Sequence, residues 1–132
     1  MATVTTATER EAIEQTVQLY IDGASKGDTA KLLEAFHTEA WMFGSVGGHR
    51  YDVPIGQMIE MVAAQPLDSD GSYSARITSV EQVGDAATAR IEEDGCWGGV
   101  SFVDYLALAK IDGSWKIVNK TFAHTGGEMP AG

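Results

Sequence analysis

In two long runs, Val100–Ile111 and Ser114–His124, charged and hydrogen-bonding residues, among them Asp104, Tyr105, Asn119, Lys120 and His124, sit among apolar ones. Charged and hydrogen-bonding side chains inside such runs point to a cavity wall rather than plain core, because buried polar groups need partners. Asp104 is the first candidate for chemistry. Burial disfavours a charged carboxylate and turns it into a proton carrier near neutral pH. Held by Lys120, Thr121 or a backbone amide, the same residue is a structural carboxylate, and both roles are open at this level. His124 is a second candidate acid or base at physiological pH, or a solvated strand-end histidine. Tyr20 or Tyr105 would donate the hydrogen bond that a developing oxyanion requires.

These residues need a hairpin to bring them together. Asp112–Gly113 is a dipeptide favoured in tight turns, and each arm is longer than the usual strand of about five or six residues. Strands of that length form the middle of a curved sheet, and something must cover their inner face. With a two-residue loop, Asp104 lies opposite Thr121 and Tyr105 opposite Lys120. Tyr105, Lys120, Phe122 and His124 then look one way, Asp104 and Asn119 the other. A one-residue bulge exchanges these partners, and the sequence does not choose between the two registers.

The aromatic residues suggest the rest of the wall. Trp41, Phe43, Tyr51, Trp97, Phe102, Tyr105 and Phe122 can converge with Tyr20, Met58 and Met61 around one small-molecule pocket, with Lys120 among its polar groups. The mouth is expected at the far end of the second arm, some 30 Å from the hairpin turn at about 3.3 Å per residue. The remaining candidates read as structural. His37 sits in a turn, His49 in a glycine-rich loop, Trp115 in core or interface, and Cys96 has no base beside it in sequence. The three histidines are too scattered for a metal site, and no cofactor motif is present.

The elements around the hairpin follow from periodicity. Thr8–Glu11 fits a capping box, and Ile13, Val17, Tyr20, Ile21 and Ala24 form one helical stripe ending near Gly27. Asp28 caps a short second helix bearing Leu32, Leu33 and Phe36. Ala40–Phe43 reads as a strand, with His49–Tyr51 returning beside it after glycines 44, 47 and 48. Pro54 opens a third helix whose inner face is Ile55, Met58, Ile59 and Val62. Tyr73–Val83 and Ala86–Glu93 are two strands joined at Gly84–Asp85. The order ααββαββββ predicts an α+β fold, helices on one face of an antiparallel sheet, as a single domain over 1–132 with frayed ends at 1–7 and 126–132. The net charge of −10 disfavours nucleic acid and acidic membrane surfaces as partners. Neither a signal peptide nor a membrane-spanning run is visible, so a soluble, cytoplasmic protein is expected.

Three stretches of this sequence resemble the nuclear transport factor 2-like superfamily, which includes ketosteroid isomerase, scytalone dehydratase and polyketide cyclases. They are Ile13–Gly27 leading into Asp28–Leu32; Phe36-His37-Thr38-Glu39-Ala40; and Phe102–Leu106 continuing to Trp115–Phe122. The last is most similar to the lumazine-binding branch, and the resemblance runs from about Glu9 to Thr125. It implies a cone, in which a curved sheet wraps the long first helix, with a pocket at its open end and a homodimer across the outer face. The second acidic position of ketosteroid isomerase falls nearer Ala107 than Asp104, and the dehydratase's histidine pair has no counterpart. The resemblance therefore implies a pocket and leaves its chemistry open. Three readings follow. The first is a cofactor-independent isomerase, dehydratase or cyclase acting on an aromatic or polycyclic molecule, with Asp104 or His124 moving the proton. The second is a non-catalytic binder of a flat heteroaromatic ligand. The third is a dimeric assembly module with a vestigial pocket.

Overall fold

The computed structural model describes residues 7–128. The expectations for residues 1–6 and 129–132 lie outside it. Helix α1 (Ala7–Lys26) is followed by α2 (Thr29–Ala35), β1 (Phe36–Val46), β2 (His49–Arg50), β3 (Val53–Pro54) and α3 (Ile55–Ala64). The remaining strands are β4 (Ser74–Val83), β5 (Ala86–Cys96), β6 (Val100–Ile111) and β7 (Ser114–Gly126). At the margins of the two ends expected to fray, the described residues belong to regular elements. Ala7 opens α1, which places Thr8 inside the helix, and β7 continues to Gly126.

One curved sheet runs in the order β2-β1-β7-β6-β5-β4, with β3 also on β1. The long hairpin β6–β7 occupies its middle, as its length requires. The sheet is mixed rather than wholly antiparallel: β1 runs parallel to β7. The reason is chain order. β1 comes from α2 and must lie beside the last strand, so all of α3 and β4–β6 intervene as the crossover. β1 is also longer than the tetrapeptide Ala40–Phe43, and Gly44 belongs to the strand rather than to the turn.

Helix α1, about 30 Å long at 1.5 Å per residue, lies in the hollow of the sheet. Ile13, Val17, Tyr20 and Ala24 are fully buried against β-strand residues such as Ile91, Leu106 and Ile117. Thr16 Oγ1 donates to the Trp115 carbonyl at 3.2 Å, and Lys110 pairs with Glu9 at 2.9 Å, closing the end of the cone nearest the hairpin turn. Asp28 caps α2 by accepting from the Lys31 amide at 3.3 Å. At the opposite end α3 crosses the opening, with Met58 and Val62 turned inward.

The register of the central hairpin decides what faces the hollow. From Ile111–Ser114 to Leu108–Ile117 the pairing is regular. Then Ala107 pairs with Asn119, leaving Val118 as an extra residue. This bulge switches the inward phase of β7 from Trp115 and Ile117 to Lys120 and Phe122. Asp104 consequently lies opposite Phe122 and Tyr105 opposite Thr121.

Candidate functional site

The open end of the cone encloses a cavity of about 160 Å³. Its apolar wall includes Met42, Tyr51, Met58, Trp97, Phe102 and Phe122, and Met61 stands at the rim. Phe102 meets Trp97 and Phe122 edge-on at 6.1 and 5.5 Å between ring centroids. Gly44 leaves the space that Phe122 fills, since a Cβ there would stand 2.5 Å from the Phe122 ring. Trp97 is held at φ 50, a left-handed conformation costly for a bulky residue. Two hydrogen bonds over-determine it: its amide donates to the Leu67 carbonyl at 2.8 Å and its indole to the Gln65 carbonyl at 3.0 Å. The loop after α3 thereby fixes one wall of the cavity.

Three of the side chains that line this cavity give it its chemistry: Tyr20, Glu93 and Lys120. Behind them, fully buried and off the cavity surface, is Asp104. The Tyr20 hydroxyl donates to Asp104 Oδ2 at 2.7 Å, and the Tyr73 hydroxyl donates to Glu93 Oε2 at 2.6 Å. Asp104 Oδ1 has no hydrogen-bond partner among the described residues, and the charge of Asp104 acts on the neighbouring Glu93 carboxyl. Glu93 is pushed well above the usual carboxylate range, first by burial and then by the charge of Asp104; Lys120 and the Tyr73 hydrogen bond pull the other way. Burial and the neighbouring carboxyl thus favour the protonated form of Glu93. Burial, then Asp104, likewise raises Tyr20 and keeps it a neutral phenol.

Lys120 is 9% exposed. Its ammonium lies 5.0 Å from the Tyr20 ring centroid and 5.3 Å from that of Phe122. Among the described residues it has no carboxylate within 4.0 Å, although Glu93 feels its charge. The cluster thus holds two carboxyls and one ammonium, with Glu93 and Lys120 lining an apolar cavity and Asp104 behind them.

Of the residues expected at the site, Tyr20, Tyr51, Met58, Trp97, Phe102, Lys120 and Phe122 are brought together here. The others are not. Asp104 reaches the cavity only through Tyr20 and Glu93. His124 Nδ1 accepts from the Gly47 amide at 3.2 Å, and its Nε2 stands 2.6 Å from the Gly127 carbonyl. Backbone thus occupies both ring nitrogens, and the residue ties the β1–β2 turn to the end of β7. Trp41, Phe43 and Tyr105 lie on the outer face of the sheet. Trp41 stacks on Phe43 at 5.9 Å, and Tyr105 lies under the Arg90 guanidinium. Alternation is the reason: Met42 and Gly44 take the inner positions of β1, and Asp104 and Leu106 those of β6. Cys96 is buried and its thiol is pushed up by desolvation, consistent with an inert core residue.

Sequence reasoning missed Glu93 and its partner Tyr73. The signal was present, since Glu93 follows Ala87, Ala89 and Ile91 in period two on the buried face of β5, while Glu92 is on the other face.

This architecture, a curved sheet around a long helix with a pocket at one end, is that of nuclear transport factor 2-like proteins. An NTF2-like protein of unknown function from Methylobacillus flagellatus KT superposes with a TM-score of 0.85 at 30% identity, covering 96% of this chain and 99% of that one. A second, from Shewanella baltica OS155, gives 0.83 at 28%, covering 94% and 99%. The chain belongs to the family described as "Putative lumazine-binding", whose model matches residues 8–123. A characterised relative, Aldolase FrzH of a Cladobotryum species, is 25% identical over 122 residues, 92% of this chain and 96% of that protein.

Proposed function

We propose that this protein is a cofactor-independent acid/base enzyme that removes and returns a proton beside the carbonyl group of a small, largely apolar molecule. One observation carries the reading: Glu93, its proton affinity raised by the Asp104 carboxyl behind it, lines the same apolar cavity as Lys120, which has no carboxylate within 4.0 Å among the described residues. Glu93 moves the proton. Lys120 draws electrons from the carbonyl, and Asp104 sets the basicity of Glu93 from behind. Tyr20 spends its hydroxyl proton on Asp104 and serves as a positioning residue rather than the oxyanion donor. The relative named as an aldolase supports carbonyl chemistry of this kind.

The test is hydrogen–deuterium exchange at the α-carbon of simple ketones in heavy water, followed by NMR. The expected rate titrates on a group above the ordinary glutamate pKa of about 4.3. In Asp104→Asn that limb moves to lower pH, because the charge that raises Glu93 is gone. A limb that stays in place would remove Asp104 from the mechanism.

The family description favours a second reading, a binder that holds a flat heteroaromatic ligand between Trp97, Tyr51 and Phe122. It predicts saturable quenching of tryptophan fluorescence and no isotope exchange.

We further propose a homodimer through the outer face. Trp41 and Phe43 on β1 and Tyr105 on β6, the two strands that flank β7, are 43%, 37% and 58% exposed, an unusual concentration of aromatic surface for a monomer. A stable interface would bury about 800 Å² per partner. Sedimentation should show a dimer at tens of micromolar and a monomer for Trp41→Lys; a monomeric wild type would refute the assignment.

A further inference from the structure

We propose that Lys120 is a nucleophile that condenses with the carbonyl of a ketone or aldehyde substrate to form an iminium ion. This rests on the acid/base reading above and specifies how electrons are drawn from the carbonyl. Three features of the site carry it. Lys120 lines the cavity, yet among the described residues no carboxylate lies close enough to tie it into an ion pair. Its surroundings are the rings of Tyr20 and Phe122, so the space beside it is one from which a water molecule, once released, is poorly retained. Desolvated lysines of this type are the ones that act as Schiff-base nucleophiles. Finally, Glu93 lines the same cavity and feels the Lys120 charge, and a carbinolamine needs such an acid to lose water.

The steps balance. Once Glu93 has released its proton to solvent, the ammonium of Lys120 passes one proton to the Glu93 carboxylate, leaving a neutral amine and a neutral acid. The amine nitrogen forms a bond to the carbonyl carbon while its second proton moves to the carbonyl oxygen, giving a carbinolamine. Glu93 returns its proton to that hydroxyl, the C–O bond breaks and water departs, leaving the iminium ion and a Glu93 carboxylate. That carboxylate then takes the α-proton, and the electron pair of the C–H bond forms the enamine. No oxidant, metal or further co-reactant is needed. With a second carbonyl compound present, the enamine carbon bonds to its carbonyl carbon, Glu93 returns the proton to the new alkoxide oxygen, and water hydrolyses the regenerated iminium to release the product and the Lys120 amine.

The expected substrate is therefore a neutral aldehyde or ketone with an enolisable hydrogen and an apolar body.

The experiment uses acetone and benzylacetone, the first small enough to enter any such cavity, with sodium borohydride as the trap and peptide mass spectrometry as the readout. Borohydride reduces the imine to a secondary amine, so each labelled lysine gains one probe molecule less one water plus two hydrogens. Labelling is expected at Lys120 at least ten times faster than at the exposed Lys26 and Lys31. Lys120→Arg, which keeps the charge but cannot form the imine, should abolish both the label and the α-proton exchange. Exchange in the wild type without a Lys120 adduct, or exchange retained in Lys120→Arg, would overturn the covalent step and leave the acid/base reading standing. Absence of both exchange and adduct with either probe would overturn the two together. Near-ultraviolet circular dichroism of Lys120→Arg, matched to wild type, establishes that any loss is not unfolding.

Discussion

Glu93→Gln is expected to lower α-proton exchange by a factor of about 100 or more and, in the same protein, to raise the melting temperature at alkaline pH. The two effects have one cause. The Gln carbonyl oxygen still accepts from the Tyr73 hydroxyl, and its NH₂ donates to Asp104 Oδ1, which has no other donor among the described residues. The amide keeps the shape and the hydrogen bonds but cannot carry a proton. The sign of the stability effect follows from linkage. Glu93 titrates higher in the folded chain than in the unfolded one, so the native state binds the extra proton. Its contribution is fully present below about pH 4, the unfolded value, and is lost as pH rises through the folded value. Above that, wild type carries a buried negative charge that Gln does not. The gain should be about 1 kcal/mol, a few degrees, at pH 9 and close to zero at pH 4. Thermal melts across that range check it. A variant both inactive and less stable at pH 9 would mean that Glu93 is an ordinary packed partner.

Tyr20→Phe carries the largest expected loss of stability. The phenol supplies a hydrogen bond of 2.7 Å to a carboxylate that no solvent reaches. Deleting the hydroxyl removes that donor and puts nothing in its place. The cost of an unsatisfied buried charged group is about 2–3 kcal/mol, enough to be seen easily in urea denaturation. Asp104→Asn in the Tyr20→Phe background should recover part of it, because the charge that needed the donor is gone. The double variant is thus expected to fall short of the sum of the singles by about 1 kcal/mol or more. Strict additivity would show that Tyr20 and Asp104 are not energetically coupled, and that the phenol is held by packing against Phe36 at 5.3 Å instead.

Much of the fold was legible because it rests on local chemistry. The Ile13–Ala24 stripe, the Asp28 cap, the Asp112–Gly113 turn and the alternation of β6 each act within a few residues, and each corresponds to an element of the structure. The site was legible only in part. Tyr20, Lys120 and the wall residues Tyr51, Trp97, Phe102 and Phe122 were recognisable by type. Trp41, Phe43 and Tyr105 have the same chemical character, yet they face outward. Composition cannot tell an aromatic lining a pocket from one offered to a partner surface; only the phase of its strand can. Glu93 was passed over for the converse reason: a glutamate in a strand next to Glu92 looks like solvent-facing charge until its phase with Ile91 is counted.

The sequence alone, then, determined the elements, their order and the long central hairpin, since propensity, capping and turn chemistry are properties of neighbours along the chain. Tertiary structure decided which polar groups meet. The deciding feature is the single extra residue at Val118. Without it, Asn119 and Thr121 would continue the inward phase of Trp115 and Ile117; with it, Lys120 and Phe122 enter the cavity beside Tyr20 and Glu93. Side chains alternate with period two, so a one-residue slip inverts every assignment beyond it. That slip is set by the fit of β7 between β6 and β1 around α1, where Gly44 makes room for Phe122, and no local pattern in the strand encodes it.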